Sequence, residues 1–390
     1  MKKEIKIGKS TTFPCDVVEF KNINFKLESG YLLNNFNINF KTYGKLNLAK
    51  SNAILICHAL TADQFVADPH PITKKEGWWA NMVGPNKPID TNKYFVICSN
   101  VLGGCIGSTG PKEISHLNNF PYGLEFPAIT IKDMVAAQKM LIDVLEINEL
   151  FAVIGASMGA MQVLQWVIDY PKNLVNTIHI AGALKHSTQN IAFHEVGRQA
   201  IMSDPNWHKG NYLKKNVKPE RGLAVARMVA HITYLSEKAL HEKFGRRLQS
   251  RDLISFGFDA DFQVESYLRY QGQSFVNRFD ANSYLYMTRA MDYFDVTETF
   301  PKFIRFNSEY NNHIHHCIIS FTSDWLFPTI ENKEIVKILN KEGKRVSFTE
   351  IESDKGHDSF LLNVPELYRT ISGFLDGNYE KLEIVKKNEY

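Results

Sequence analysis

Four short stretches of the chain are apolar almost without interruption: Asn52–Cys57, Tyr94–Cys98, Phe151–Gly155 and Cys317–Phe321. Runs of this length predict strands covered on both faces, as in a parallel sheet. Phe36-Asn37-Ile38-Asn39-Phe40 instead alternates apolar and polar residues, the pattern of a half-buried strand, and marks an antiparallel hairpin in about the first fifty residues. Helical patterns fill the gaps. One opens at Thr130-Ile131-Lys132-Asp133, a capping-box-like start, and runs to Glu146; another follows Ser157 and stops near Pro171. Strand and helix alternate, which predicts an α/β fold with a mostly parallel central sheet. Residues 185–300 break the rhythm with a long, helical stretch rich in His, Arg, Tyr and Phe. That stretch is expected to be a helical lid inserted between a first core segment, 1–184, and a second, 301–377. The mostly charged or polar residues 378–390 are expected to form a frayed tail.

Composition narrows the function classes. With 390 residues, 44% of them hydrophobic, the chain can bury a large core. A net charge of +3, a pI of about 8.4 and the lack of a sustained basic block argue against a nucleic-acid partner. No apolar run approaches the roughly 20 residues of a membrane span, and the polar start Met1–Lys6 lacks the apolar core of a signal peptide. The five Cys are odd in number and match no metal or CxxC spacing. Cys57, Cys98 and Cys317 sit in or at the end of apolar runs, as buried free thiols do in a reducing compartment. A soluble, cytoplasmic protein with no membrane contact is expected.

The chemistry centres on Gly155-Ala156-Ser157-Met158-Gly159, a G-x-S-x-G motif that follows a predicted strand and opens a predicted helix. In that context Ser157 reads as a nucleophile on a sharp turn at a sheet edge, with a helix N-terminus facing the charge that develops in acyl transfer. The fold class expected is therefore the α/β-hydrolase fold, whose chain order is Ser, acid, His. Asp324 follows the strand Cys317–Phe321, and His357 follows the predicted last strand, Ser347–Ile351. His357 would shuttle the proton and Asp324 would fix its tautomer. Asp354 is a rival acid, disfavoured because it shares the His357 loop. Met158 and Leu60, the latter in the loop Cys57–Ala62, would donate the backbone N–H groups of the oxyanion hole. His58 reads as a structural ring that holds this loop. His313, His315 and His316 read as surface residues, and no Cys or carboxylate is spaced to complete a metal site with them. None of this decides whether water or another hydroxyl receives the acyl group.

Several blocks together resemble one family. They are His58-Ala59-Leu60-Thr61, Gly77-Trp78-Trp79, Asn100–Cys105 with Gly107–Pro111, Ser157–Gln162, Ala226–Ser236, Ser323–Pro328 and Gly356–Leu361. From about residue 15 to 375 the chain is similar to homoserine O-acetyltransferases. The resemblance implies a Ser157–Asp324–His357 triad, with Arg227 and Asp358 binding substrate. Alone, Arg227 reads as a helix-surface residue; within the resemblance it would grip the carboxylate of homoserine while Asp358 holds the ammonium. The implied reaction is ping-pong acetyl transfer from acetyl-CoA, a co-substrate, to L-homoserine in methionine biosynthesis, with no bound cofactor or metal and with lid Lys and Arg residues receiving the CoA phosphates. A homodimer through the lid helices is also implied. Homoserine O-succinyltransferase, serine O-acetyltransferase and simple esterase activities remain alternatives on the same scaffold. The family usually has Gly where this chain has Ala62, Ala156 and Ala160; Ala62 is expected to narrow the acyl pocket and favour acetyl over succinyl.

Overall fold

The computed structural model describes residues 2–388 except 117 and 251, with the side chains of 308 and 381–388 undescribed. Nine strands form one sheet: β1 (Glu4–Lys9), β2 (Asp16–Lys21), β5 (Phe36–Tyr43), β6 (Ala53–Cys57), β9 (Phe95–Ser99), β10 (Leu150–Ala156), β11 (Leu174–Ile180), β12 (His315–Phe321) and β13 (Arg345–Ile351). Their spatial order is β1-β2-β5-β9-β6-β10-β11-β12-β13. The pairs from β1 to β9 are antiparallel, and every pair from β9 to β13 is parallel. Two short ribbons, β3 (Phe25–Lys26) with β4 (Leu32–Leu33) and β7 (Val83–Gly84) with β8 (Ile89–Asp90), stand apart from the sheet.

The apolar runs are the central parallel strands. Every residue of β6 and β10 is buried, because layers cover both faces of the sheet. Helix α1 (Ile131–Val144) packs on α2 (Met158–Asp169), which lies across β6, β10 and β11. Thr130 caps α1 as its spacing predicts: the hydroxyl accepts from the Asp133 N–H while the Asp133 carboxylate accepts from the Thr130 N–H at 2.9 Å. The other Asp133 oxygen accepts from the Glu28 N–H at 2.8 Å, so the cap also ties the N-terminal hairpin region to the core.

Between β11 and β12 the chain is helical: α3 (Thr188–Met202), α4 (Glu220–Tyr234), α5 (Glu237–Phe244), α6 (Gln263–Val276), α7 (Ala281–Asp292), α8 (Thr299–Phe306) and α9 (Ser308–Asn311). Here α4 packs on both α3 and α6. Helix α10 (Thr329–Lys341) covers β12 and β13, and α11 (Pro365–Asn388) closes the chain. The segment expected to fray from residue 378 continues α11 to Asn388; residues 389 and 390 lie outside the described residues.

His316 departs from its surface assignment. It is 2% exposed within β12, with Nδ1 at 2.8 Å from the Thr177 hydroxyl, and burial pushes its imidazole down to about 3. His313 is exposed, as expected, with Nε2 at 3.1 Å from the Leu174 carbonyl oxygen, and His315 is half-buried at the start of β12. His316 alone lies inside the strand, where both faces are covered. All five cysteines are buried and free.

Thr130→Ala removes one partner of the reciprocal cap. It should lower unfolding stability by about 1 kcal/mol in urea titration without changing the denaturant slope.

Candidate active site

Parallel strands end together, so the loops after β6, β10, β12 and β13 converge on one sheet edge. Ser157 sits there between β10 and α2 with φ 59° and ψ −124°, a conformation that an L-residue adopts only under constraint. The two motif glycines supply the constraint. A Cβ on Gly155 would collide with the Gly159 carbonyl, and one on Gly159 with the Cys57 carbonyl. The Ser157 N–H donates to the Ile180 carbonyl at 3.1 Å, fixing the turn to β11.

Asp324 is 4% exposed and fully engaged. Its Oδ1 accepts from the Leu326 and Phe327 N–H groups at 3.0 and 2.9 Å, and its Oδ2 lies 2.7 Å from His357 Nδ1. That contact assigns Nδ1 as the protonated nitrogen and leaves Nε2 as a lone-pair acceptor. Among the described residues the buried Nε2 has no hydrogen-bond partner. The His357 ring packs against Phe327 and Tyr234, which line a cavity together with Ser157. Ser157 Oγ and His357 Nε2 do not make a hydrogen bond; in such sites that bond often tightens only around bound substrate. Asp354 instead pairs with Lys355 at 3.0 Å, away from His357.

The loop after β6 runs beside the elbow because Cys57 pairs with Gly155 in the sheet. Met158 begins α2, so its N–H has no intrahelical acceptor, and Leu60 lines the Ser157 cavity. His58 is structural, as read from the sequence. Its Nδ1 donates to the Ala59 carbonyl at 2.8 Å, Nε2 accepts from the Val101 N–H at 3.1 Å, and burial lowers its pKa. Gln162 donates to the His58 and Met158 carbonyls at 3.2 Å each and accepts from Gln138 at 2.7 Å. It thereby couples the loop to the elbow helix. The tryptophans of Gly77-Trp78-Trp79 likewise fasten loops to one another. Trp78 donates to the Asp63 carbonyl at 2.8 Å and Trp79 to the Phe360 carbonyl at 2.7 Å.

Arg227 lies on α4 and lines a second cavity of about 240 Å³, outside the one at Ser157. It stacks over Phe275 at 4.8 Å and Tyr234 at 5.5 Å, and donates to the Thr61 hydroxyl at 3.3 Å. Asp358 follows His357 in a turn, Gly356–Phe360. Burial raises the Asp358 pKa, against the pull of His357 and Arg227. Arg227 and Asp358 form no direct ion pair among the described residues, but both act on Tyr234 and Tyr267. Ala62 lines this outer cavity rather than the one holding Ser157, so the expectation that it narrows the acyl pocket fails: the loop turns after Leu60 and carries residue 62 outward.

Three features have no local signal in the sequence. Tyr234 lines the Ser157 cavity with Arg227 over its ring, and Arg278 lines the outer one; both depend on how helices far apart in sequence pack. A third is the cluster His186, His194 and Asp292, which has metal-ligand spacing. Both imidazoles reach Asp292 Oδ1, at 3.0 and 2.9 Å, but Arg198 holds Oδ2 at 2.7 Å. Burial would raise the Asp292 carboxyl; the two imidazole hydrogen bonds and the Arg198 charge hold it well below the usual range. The guanidinium already supplies the cation there.

Residues 52–364 match the α/β-hydrolase fold family. The chain is 59% identical over 350 residues, 90% of each sequence, to the homoserine O-acetyltransferase of Mesorhizobium japonicum. It superposes on the crystal structure of homoserine O-acetyltransferase from Bacillus anthracis with a TM-score of 0.81 at 27% identity, over 96% of this chain and 97% of that one. Esterase E22 matches equally in shape, with a TM-score of 0.81 at 26% identity over 96% and 99% of the two chains. The chain therefore belongs to the α/β-hydrolase superfamily and, within it, to the homoserine O-acetyltransferase family.

Proposed function

We propose that this protein transfers the acetyl group of acetyl-CoA to the hydroxyl of L-homoserine through an acetyl-Ser157 intermediate, in methionine biosynthesis. The observation that carries this reading is the high identity to homoserine O-acetyltransferases over nine-tenths of the chain. Shape alone does not carry it, since an esterase shares the fold equally well.

The site supports a two-step mechanism. His357 Nε2 takes the Ser157 proton as Oγ attacks the thioester carbonyl, and the Leu60 and Met158 N–H groups bind the oxyanion. The C–S bond breaks, CoA leaves with the proton, and acetyl-Ser157 remains. Arg227 grips the carboxylate of homoserine and Asp358 its ammonium; His357 then deprotonates the hydroxyl, which attacks the acetyl group and frees Ser157. Asp324 holds the His357 tautomer throughout. The helices between β11 and β12 act as a lid that keeps water from the acetyl-enzyme. No step calls for a metal or prosthetic group.

The cavity at Ser157, about 30 Å³, supports a small acyl group. Among the described residues no Lys or Arg lines it, so a succinyl carboxylate would lack a counter-charge there. We also infer a homodimer through the lid, where Leu253, Phe256 and Phe258 are 80%, 95% and 103% exposed. Five buried free thiols support a cytoplasmic location, and among the described residues no helix is long and apolar enough to cross a membrane.

Steady-state assays with acetyl-CoA and succinyl-CoA against homoserine and serine should give parallel double-reciprocal lines and the highest kcat/KM for acetyl-CoA with homoserine. A higher kcat/KM for succinyl-CoA would overturn the donor assignment. Hydrolysis of acetyl-CoA undiverted by homoserine would favour the esterase reading. Ser157→Ala should abolish turnover, and with it the acetyl adduct of roughly 42 Da seen by intact-mass spectrometry of acetyl-CoA-treated enzyme. Asp324→Asn should lower kcat by about three to four orders of magnitude while leaving the fold intact by circular dichroism. Arg227→Ala should lower kcat/KM for homoserine by about 10- to 100-fold, and an unchanged value would remove the carboxylate clamp from the mechanism.

A further inference from the structure

Arg278 has no part in the mechanism above, yet it lines the same outer cavity as Arg227. The two guanidiniums flank one ring, lying 4.8 Å (Arg227) and 5.3 Å (Arg278) from the centroid of Phe275. Both are anchored on one residue: Arg227 donates to the Thr61 hydroxyl at 3.3 Å and Arg278 to the Thr61 carbonyl at 2.8 Å. Among the described residues neither has a carboxylate within ion-pair distance. Two acids line the cavity: Asp63 is already engaged, with Oδ2 at 3.0 Å from His70 and Oδ1 accepting from the Phe65 N–H at 2.8 Å, and Glu76 is exposed at the cavity's rim. Burial, and then the charge of Arg227, push the Arg278 pKa down.

Two like charges in a part-buried, aromatic-walled cavity are costly unless an anion lies between them. We infer that Arg278 is a second guanidinium of the acceptor site, and that the acceptor's carboxylate binds between Arg227 and Arg278. This rests on the acetyltransferase reading and deepens it. A carboxylate offers two oxygens in one plane, one for each fork. The position fits its other end. Thr61 follows Leu60, which lines the Ser157 cavity, and Tyr234, beneath Arg227, lines that cavity too. A carboxylate held here belongs to a ligand whose hydroxyl is only a few bonds away, as in a short hydroxy-amino acid. The phosphates of CoA are at the far end of a long arm from the thioester, so they do not suit a pair that adjoins the acyl chamber.

The test uses Arg278→Gln, which keeps an N–H donor for the Thr61 carbonyl but removes the charge, and Arg278→Lys, which keeps the charge but loses the fork. In ping-pong kinetics kcat/KM for acetyl-CoA reports only the first half-reaction and kcat/KM for homoserine only the second. The burst of CoA released from acetyl-CoA alone counts correctly folded sites. Arg278→Gln is expected to lower kcat/KM for homoserine by about 10- to 100-fold, with acetyl-CoA kcat/KM within about threefold of wild type and a full CoA burst. It should also shrink by a similar factor the preference for homoserine over 3-amino-1-propanol, which lacks the carboxylate. Arg278→Lys should fall between the two. A preference unchanged by Arg278→Gln, or an equal loss in both half-reactions, would overturn the inference. Wild-type enzyme that acetylates homoserine no faster than it hydrolyses acetyl-CoA would instead sink the underlying reading.

Discussion

Three backbones touch at the elbow: the end of β10, the first turn of α2, and the loop leaving β6. Gly155 and Gly159 allow this contact, since either Cβ would strike a carbonyl oxygen. The strained Ser157 conformation persists because the sheet on one side and α2 on the other leave the chain no alternative. The same closeness brings the Leu60 loop and the first turn of α2, at Met158, beside the serine. Gln162, bonded to the carbonyls of both His58 and Met158, ties that loop to the elbow helix. The proposed nucleophile, oxyanion donors and helix dipole thus all depend on one packing constraint.

The helical segment is tied to this centre at the C-terminal end of α4. Trp325, next to Asp324, donates to the Leu235 carbonyl at 2.9 Å, and the Ser236 hydroxyl donates to the Asp354 carbonyl on the His357 loop. Gly356 lies so close to the backbone of Tyr234 and Leu235 that a Cβ would collide with it, and its φ of 71° suits glycine. Arg227 and Tyr234 ride on the same helix. Their placement relative to His357 is therefore set by short, local contacts rather than by the distant ends of the segment.

Two chambers result, and their chemistry differs. The inner one at Ser157 is small and, among the described residues, lined by no Lys or Arg; the outer one carries two guanidiniums on a shared threonine. An esterase needs only the inner part of such a site. A transferase must also hold an acceptor more effectively than water competes for the acyl-enzyme, and fixed charges at the outer chamber are a means of doing so. The similarity in shape to both an esterase and an acetyltransferase is consistent with a common core whose outcome is set by residues around it.

The sequence by itself determined the parallel strands, the capped α1, the elbow and the order Ser157, Asp324, His357, because each rests on periodicity or on a motif spanning a few residues. Structural roles for His58 and for buried Cys57, Cys98 and Cys317 were legible for the same reason. Only the tertiary structure decided that His316 is a core residue and that Ala62 faces the outer chamber. Arg278, Tyr234 and the Asp292 cluster were invisible in sequence, since their partners lie tens to hundreds of residues away. Burial and charge pairing are properties of neighbours in space, and a lone Arg or Tyr on a helix carries no local mark of what it will face.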